Sequence, residues 1–195
     1  DYFPAEYLHL VVLYASSRSI LAYMANIDTE LPSDLALPVV PTAPTLSSNS
    51  VASLAASAPT YTKPSSVLDI AGIDTKIADD DPELADSIRG KVGLQINQYQ
   101  ADIQNELNEF NKENAEYQTD LQIKVQDAQL SSKDDAQKIQ KYGGQIQDYS
   151  AKIQSIVSDF TAKVQKLGAK YQWANGRYVA LRQEYIEAFG LMAPP

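Results

Sequence analysis

Between Pro82 and Pro194 the chain has no proline, and its apolar residues recur every seven positions. Ile96, Ile103, Phe110 and Tyr117 form one such row, and Leu107 and Leu121 flank Asn114 on the next. Further on, Ile139, Ile146, Ile153, Phe160, Leu167, Ala174 and Leu181 repeat the spacing. Tyr142, Tyr149 and Ile156 follow three residues behind, and Val164, Tyr171, Tyr178 and Tyr185 make a parallel row. A seven-residue apolar repeat among Gln, Lys, Glu and Ala predicts long coiled-coil-like helices. The repeat loses its apolar residues at Ser131-Ser132-Lys133-Asp134-Asp135, where Ser132 and Asp135 have the spacing of a helix start. A helical hairpin with a turn near 131–135 is therefore favoured over one continuous helix. Gly143-Gly144 is a second weak point. Residues 96–104 and 146–154 share a faint repeat that starts Ile-x-x-Tyr-x-Ala in both copies.

The front of the chain predicts an amphipathic helix over roughly residues 4 to 27. Pro4 suits the first helical position and Glu6 the first turn. Tyr7, Leu8, Val11, Val12, Tyr14, Ala15, Ile20, Leu21 and Met24 recur at three and four, and Asp28, Thr29 and Pro32 close the helix. The apolar stretch breaks at Ser16-Ser17-Arg18, too early for a bilayer span of about 20 residues. No basic segment precedes it, so it does not read as a signal peptide. Residues 31–66 carry Pro32, Pro38, Pro41, Pro44, Pro59 and Pro64 among Ser, Thr and Ala. That spacing forbids helix and predicts an extended arm or linker that reaches a neighbour, with short edge strands near Val51–Leu54 and Thr60–Thr62. Residues 67–81 form a short acidic connecting segment in which Asp81 caps the helix begun at Pro82. The expected organisation is all-α: helix 1–30, arm 31–66, connector 67–81 and long helical region 82–195.

Sixteen Lys and Arg against twenty-five Asp and Glu give a net charge of −9, which argues against general nucleic-acid binding and against electrostatic attachment to anionic lipid. The absence of cysteine excludes thiolate metal sites, iron–sulfur clusters and cysteine nucleophiles. The single histidine, His9, lies on the apolar front helix and reads as a packed or interface residue. Asp74 and Asp79-Asp80-Asp81 lack the spacing and glycine of an EF-hand, so they read as helix-capping acids. No glycine-rich phosphate loop follows a strand. The twelve tyrosines read as packing residues before a ligand-stacking platform. The expectation is no enzyme, no catalytic residue, no metal and no cofactor.

The stretch from Phe3-Pro4-Ala5-Glu6-Tyr7 through Tyr14-Ala15-Ser16-Ser17-Arg18 to Met24 resembles the opening helix of head–tail connector (adaptor or neck) proteins of tailed bacteriophages. The stretch Ile103-Gln104-Asn105-Glu106-Leu107 through Phe110 to Tyr117-Gln118 is similar to Gln/Asn/Tyr-rich helices of phage virion structural proteins. The resemblance implies a virion structural protein at the phage neck. It would be a homo-oligomeric ring, usually twelve-fold, docked between portal and tail, with DNA as passing cargo and no membrane. A tail-fibre or collar attachment protein is the first alternative, and a secreted helical toxin or translocator the second. The residues expected to make the interfaces are Tyr7, Leu8, Val11, Tyr14 and Arg18 on the front helix. On the long helices they are Ile103, Phe110, Tyr117, Ile146, Tyr149, Ile153 and Phe160.

Overall fold

The computed structural model describes residues 5–30, 35–46, 57–65 and 82–192, and the regular structure among them is entirely helical. Helix α1 runs Ala5–Ala25 and leads into a 3-10 turn, Ile27–Glu30. Helix α2 runs Pro82–Ser131 and α3 runs Lys133–Met192. The fold is all-α, and Pro82 opens α2 where its missing N–H costs nothing. Pro4, Asp81 and the connector 67–81 lie outside the described residues.

A single residue, Ser132, separates α2 from α3. Its N–H donates to the Ala128 carbonyl at 2.7 Å, closing one helix. Its hydroxyl accepts the Asp135 N–H at 3.3 Å and its carbonyl the Ala136 N–H at 3.1 Å, opening the next. Asp134 and Asp135 stand in the first turn of α3, where the helix dipole favours negative charge. Lys138 pairs with them at 2.8 and 3.5 Å. Ala128 and Ala136 are buried at this turn, small enough for the chain to double back. Gly143-Gly144, in contrast, lies inside α3 without interrupting it.

The residues group into two compact units. One contains the arm and residues 101–161. Here Ile139, Ile146 and Ile153 of α3 and Ile103, Phe110, Tyr117 and Leu121 of α2 are buried. The Phe110 and Tyr149 rings meet edge to face at 6.2 Å, and the Tyr117 and Tyr142 hydroxyls bond at 3.1 Å. Asn114 Nδ2 donates to Ser150 Oγ at 3.0 Å and Gln154 to Asn111 at 3.1 Å. These pairs meet only in one alignment of the antiparallel helices, so they fix the register.

Arm residues 35–46 and 57–65 have no regular structure. They lie on their own hairpin. Ala58 and Tyr61 are buried, Val40 and Leu46 pack on the cluster holding Tyr117 and Ile139, and Lys63 sits 5.7 Å over the Phe160 ring. The expected reach to a neighbour is corrected for these residues, because the hairpin offers the arm's apolar side chains a nearer surface. The strand expected at Thr60–Thr62 is absent, and Val51–Leu54 lies outside the described residues.

The second unit joins α1 to residues 82–100 of α2 and 162–192 of α3, so the linear segments 1–30 and 82–195 do not stand apart. Met24 and Ile27 share a core with Val92, Ile96, Leu167, Tyr171 and Ala174. The Tyr171 hydroxyl donates to the Arg89 carbonyl at 2.7 Å. The Arg89 guanidinium donates to Asn175 at 2.6 Å and lies 4.1 Å over the Tyr178 ring. Lys170 and Glu30 form an ion pair that ties the 3-10 turn to α3. At Gly168 an added Cβ would sit 3.2 Å from Ile96 Cγ2, so the glycine sets how closely α2 approaches α3.

Two outcomes test this packing. Ile146→Asp with Ile153→Asp buries two unpaired carboxylates at fully buried positions, each forfeiting about 1.5–3 kcal/mol of burial as well. Circular dichroism should report loss of helix, whereas Gln147→Ala, at an exposed site, should leave it unchanged. Gly143→Ala and Gly144→Ala meet nothing within 4 Å, so each should raise stability by about 0.5–1 kcal/mol in urea melts. Gly168→Val should lower it.

Candidate assembly surfaces

Helix α1 was expected to be amphipathic and is not. Leu10, Leu13, Leu21 and Met24 are buried on its inner face. The outer face is apolar as well: Tyr7, Leu8, Val11, Val12, Tyr14 and Tyr23 are exposed. The polar residues Ser16, Ser17 and Arg18 are only partly exposed; Ser16 and Arg18 lie between the two faces, and Ser17, four residues from both Leu13 and Leu21, falls in the inner row. Nor do they break the helix. Ser17 Oγ donates to the Tyr14 carbonyl at 2.8 Å, which satisfies the hydroxyl inside the helix. Tyr7–Ala25 is thereby one uninterrupted stretch, long and apolar enough to cross a membrane, with mean hydropathy 1.3. This corrects the expectation of a stretch too short to span.

The sequence-derived interface residues divide in two. Tyr7, Leu8, Val11 and Tyr14 are exposed on α1, and Arg18 lies 5.8 Å over the Tyr14 ring. Tyr14 also meets Tyr185 at 6.0 Å, so it is partly engaged within the chain. Ile103, Phe110, Tyr117, Ile146, Tyr149, Ile153 and Phe160 are all buried inside a single chain. They hold the hairpin together. A seven-residue stripe looks the same in sequence whether its partner is in the same chain or another. His9 is exposed, not packed.

Trp173 was not singled out from the sequence, yet the structure leaves it largely exposed on α3, with Val179, Ile186 and Phe189 also exposed nearer the C-terminal end. Its signal was the lone tryptophan placed off the seven-residue rows, on the helix face opposite the buried Val164 and Tyr171.

A groove near the turn is lined by glutamines such as Gln118, Gln122 and Gln147, by Leu121, Val125 and Ile139, and by the bare backbone of Gly143 and Gly144. Among the described residues no three of His, Cys, Asp and Glu gather where they could hold a metal. Asp74, Asp79, Asp80 and Asp81 lie outside those residues. Tyr99, Tyr117, Tyr142, Tyr149, Tyr171 and Tyr178 are buried, which makes them packing residues and not a stacking platform. The chain matches no protein-family model, no curated protein and no solved structure.

The buried tyrosines give the fold an alkaline limit. Burial pushes the Tyr117 hydroxyl well above its ordinary value, and its bond to Tyr142 pushes further; burial does the same at Tyr171. Each raised value favours the neutral phenol in the folded state. Their contribution is therefore complete below the ordinary value of 10.0 and is lost as pH rises through it toward the folded value. Urea midpoints should hold steady to about pH 9 and fall above about pH 10. Tyr117→Phe with Tyr171→Phe should flatten that fall, and an equally steep fall in the double variant would remove these phenols as its cause.

Proposed function

We propose that the chain is a non-enzymatic structural subunit of a tailed-phage virion, a neck or connector protein that docks between portal and tail as one copy of a ring through which DNA passes. The observation that carries this reading is the outer face of α1. A helix that has already buried Leu10, Leu13, Leu21 and Met24 leaves Leu8, Val11 and Val12 in water, and exposed apolar surface of that kind calls for a partner. The resemblance of the front helix to phage adaptors supplies the kind of partner. The net charge of −9 suits a conduit that repels phosphate and lets DNA slide.

A second reading, a secreted helical translocator, draws on the uninterrupted apolar stretch Tyr7–Ala25. Electron microscopy and vesicle leakage separate the two. For the neck protein, the purified chain should form closed rings with a central opening, and antibodies against it should label virions at the head–tail junction. Dye release from phosphatidylcholine vesicles should stay at background. A monodisperse 21.4 kDa species in light scattering would overturn the ring. Label along the tail fibres would instead support fibre attachment, and rapid dye release the translocator.

A further inference from the structure

Helix α3 has no acidic residue between Asp159 and Glu184, yet carries five cations there, Lys163, Lys166, Lys170, Arg177 and Arg182. In a chain of net charge −9, that stretch runs against the average. With 3.6 residues per turn, Lys163, Lys166, Lys170 and Arg177 share an arc of about 60° that extends about 21 Å along the helix. Trp173 borders the arc, three residues beyond Lys170 and four before Arg177. Lys163, Lys166 and Arg177 are exposed, and no described residue forms an ion pair with them. Lys170 is half-buried and held by Glu30. Trp173 is 66% exposed and is the only tryptophan in the chain.

Helix α1 borders the same strip. Arg177 lines an open groove with Ser16, Ser19, Ile20 and Leu181. From Tyr7 to Ala25 helix α1 has no acidic residue. The groove thus brings a guanidinium and two hydroxyls together, hydrogen-bond donors with no carboxylate among the lining residues. This is the chemistry that holds a phosphate oxygen. One turn back, the indole offers a flat apolar face beside that charge. An unpaired base stacks on such a face, and its phosphates reach cations on either side of it. Lipid fits less well, because Ala169, Gln172, Gly176 and Ala180 around Trp173 supply little apolar area for insertion. An acidic helix would satisfy the cations and leave the indole in water. Duplex DNA would do the same, since its bases are already stacked.

We propose that the strip of Lys163, Lys166, Trp173 and Arg177, with the Ser16–Ser19 groove beside it, binds single-stranded nucleic acid. Lys163, Lys166 and Arg177 meet phosphates, and Trp173 stacks on a base. Phosphates and base faces recur at every nucleotide, so the contact is indifferent to sequence. The excess of acid elsewhere on the chain repels phosphate, which confines the contact to this strip. The site lies within one chain; it goes beyond the neck reading and does not require it.

The single tryptophan is its own reporter. Titration with a twelve-nucleotide oligothymidylate at about 50 mM salt should quench its fluorescence to saturation, with half-saturation between about 1 and 100 μM. Three phosphate contacts on a single strand give a slope of about −2 for log affinity against log salt. Lys166→Glu with Arg177→Glu should weaken binding at least tenfold and keep the helical circular dichroism of the parent. Lys112→Glu with Lys152→Glu, an equal change of charge at exposed sites outside the strip, should weaken it no more than about twofold. Trp173→Ala, followed by the anisotropy of a labelled oligonucleotide, should weaken it about tenfold. Absence of quenching would overturn the proposal. So would unchanged affinity in Trp173→Ala, or equal quenching by polyglutamate or by phosphatidylserine vesicles, which would make the strip a dock for acidic protein or lipid. Each of those results leaves the ring reading untouched. A chain that binds the oligonucleotide and forms no ring keeps the strip and loses the neck.

Discussion

Everything in this chain hangs on two apolar stripes that meet across one residue. Ser132 ends one helix with its N–H and begins the next with its hydroxyl and carbonyl, so the turn uses almost no chain and leaves few backbone groups unbonded. Because the turn is so short, its position fixes which residue of α2 faces which residue of α3. The isoleucines at 139, 146 and 153 are then carried into the interior without further choice. The polar contacts Asn114–Ser150 and Gln154–Asn111 are made in one alignment alone. They discriminate between registers that the repeating apolar rows would leave nearly equal in energy.

The remaining elements use surfaces the hairpin provides. The described arm residues form no helix or strand of their own, since their prolines remove donors, and Tyr61 edges onto Phe110 at 6.4 Å to anchor them. Helix α1 needs a wall for its inner face, and finds one where Gly168 lets α2 and α3 come close enough for Met24, Ile27, Val92 and Tyr171 to share one core. Arg89 is buried there against the Tyr178 ring and Asn175, arranged so that its charge is met by a π face and an amide.

Much of the hairpin was legible in the sequence, for a physical reason. A seven-residue row of Ile, Phe and Tyr has one low-energy use in water, and a Ser–x–x–Asp start inside a gap in that row marks where the chain turns. The front helix was legible as a helix but not as a two-faced one. Counting apolar residues at three and four finds one stripe and does not reveal that the opposite face is apolar too. Ser16-Ser17-Arg18 looked like a break because polarity was read along the chain, whereas the helix wraps Ser16 and Arg18 to its flanks and lets Ser17, on the inner row, bond its own backbone. The arm's path along its own hairpin was illegible, since extended chain carries no period. Gly168 and Trp173 were missed because close approach and exposure belong to the packing of helices, not to any spacing in the sequence.

The placement of the turn also orders the events by which the chain closes. Contacts lie farther apart in sequence with distance from Ser132: 25 residues for Tyr117–Tyr142, 36 for Asn114–Ser150, 86 for Arg89–Asn175 and 140 for Glu30–Lys170. Loop-closure cost grows only with the logarithm of loop length, so it rises slowly once the turn exists. Zipping from the turn makes α1 the last element to be captured, by a wall that is already built. Transition-state φ-values high around Ser132 and near zero in α1 are the kinetic signature of that order, and the reverse profile would rule it out. A late-docking helix has a biological corollary. Until its inner face is seated, both of its apolar faces are open, and a crowded cell holding many copies at once offers each α1 a choice between its own wall and its neighbour's.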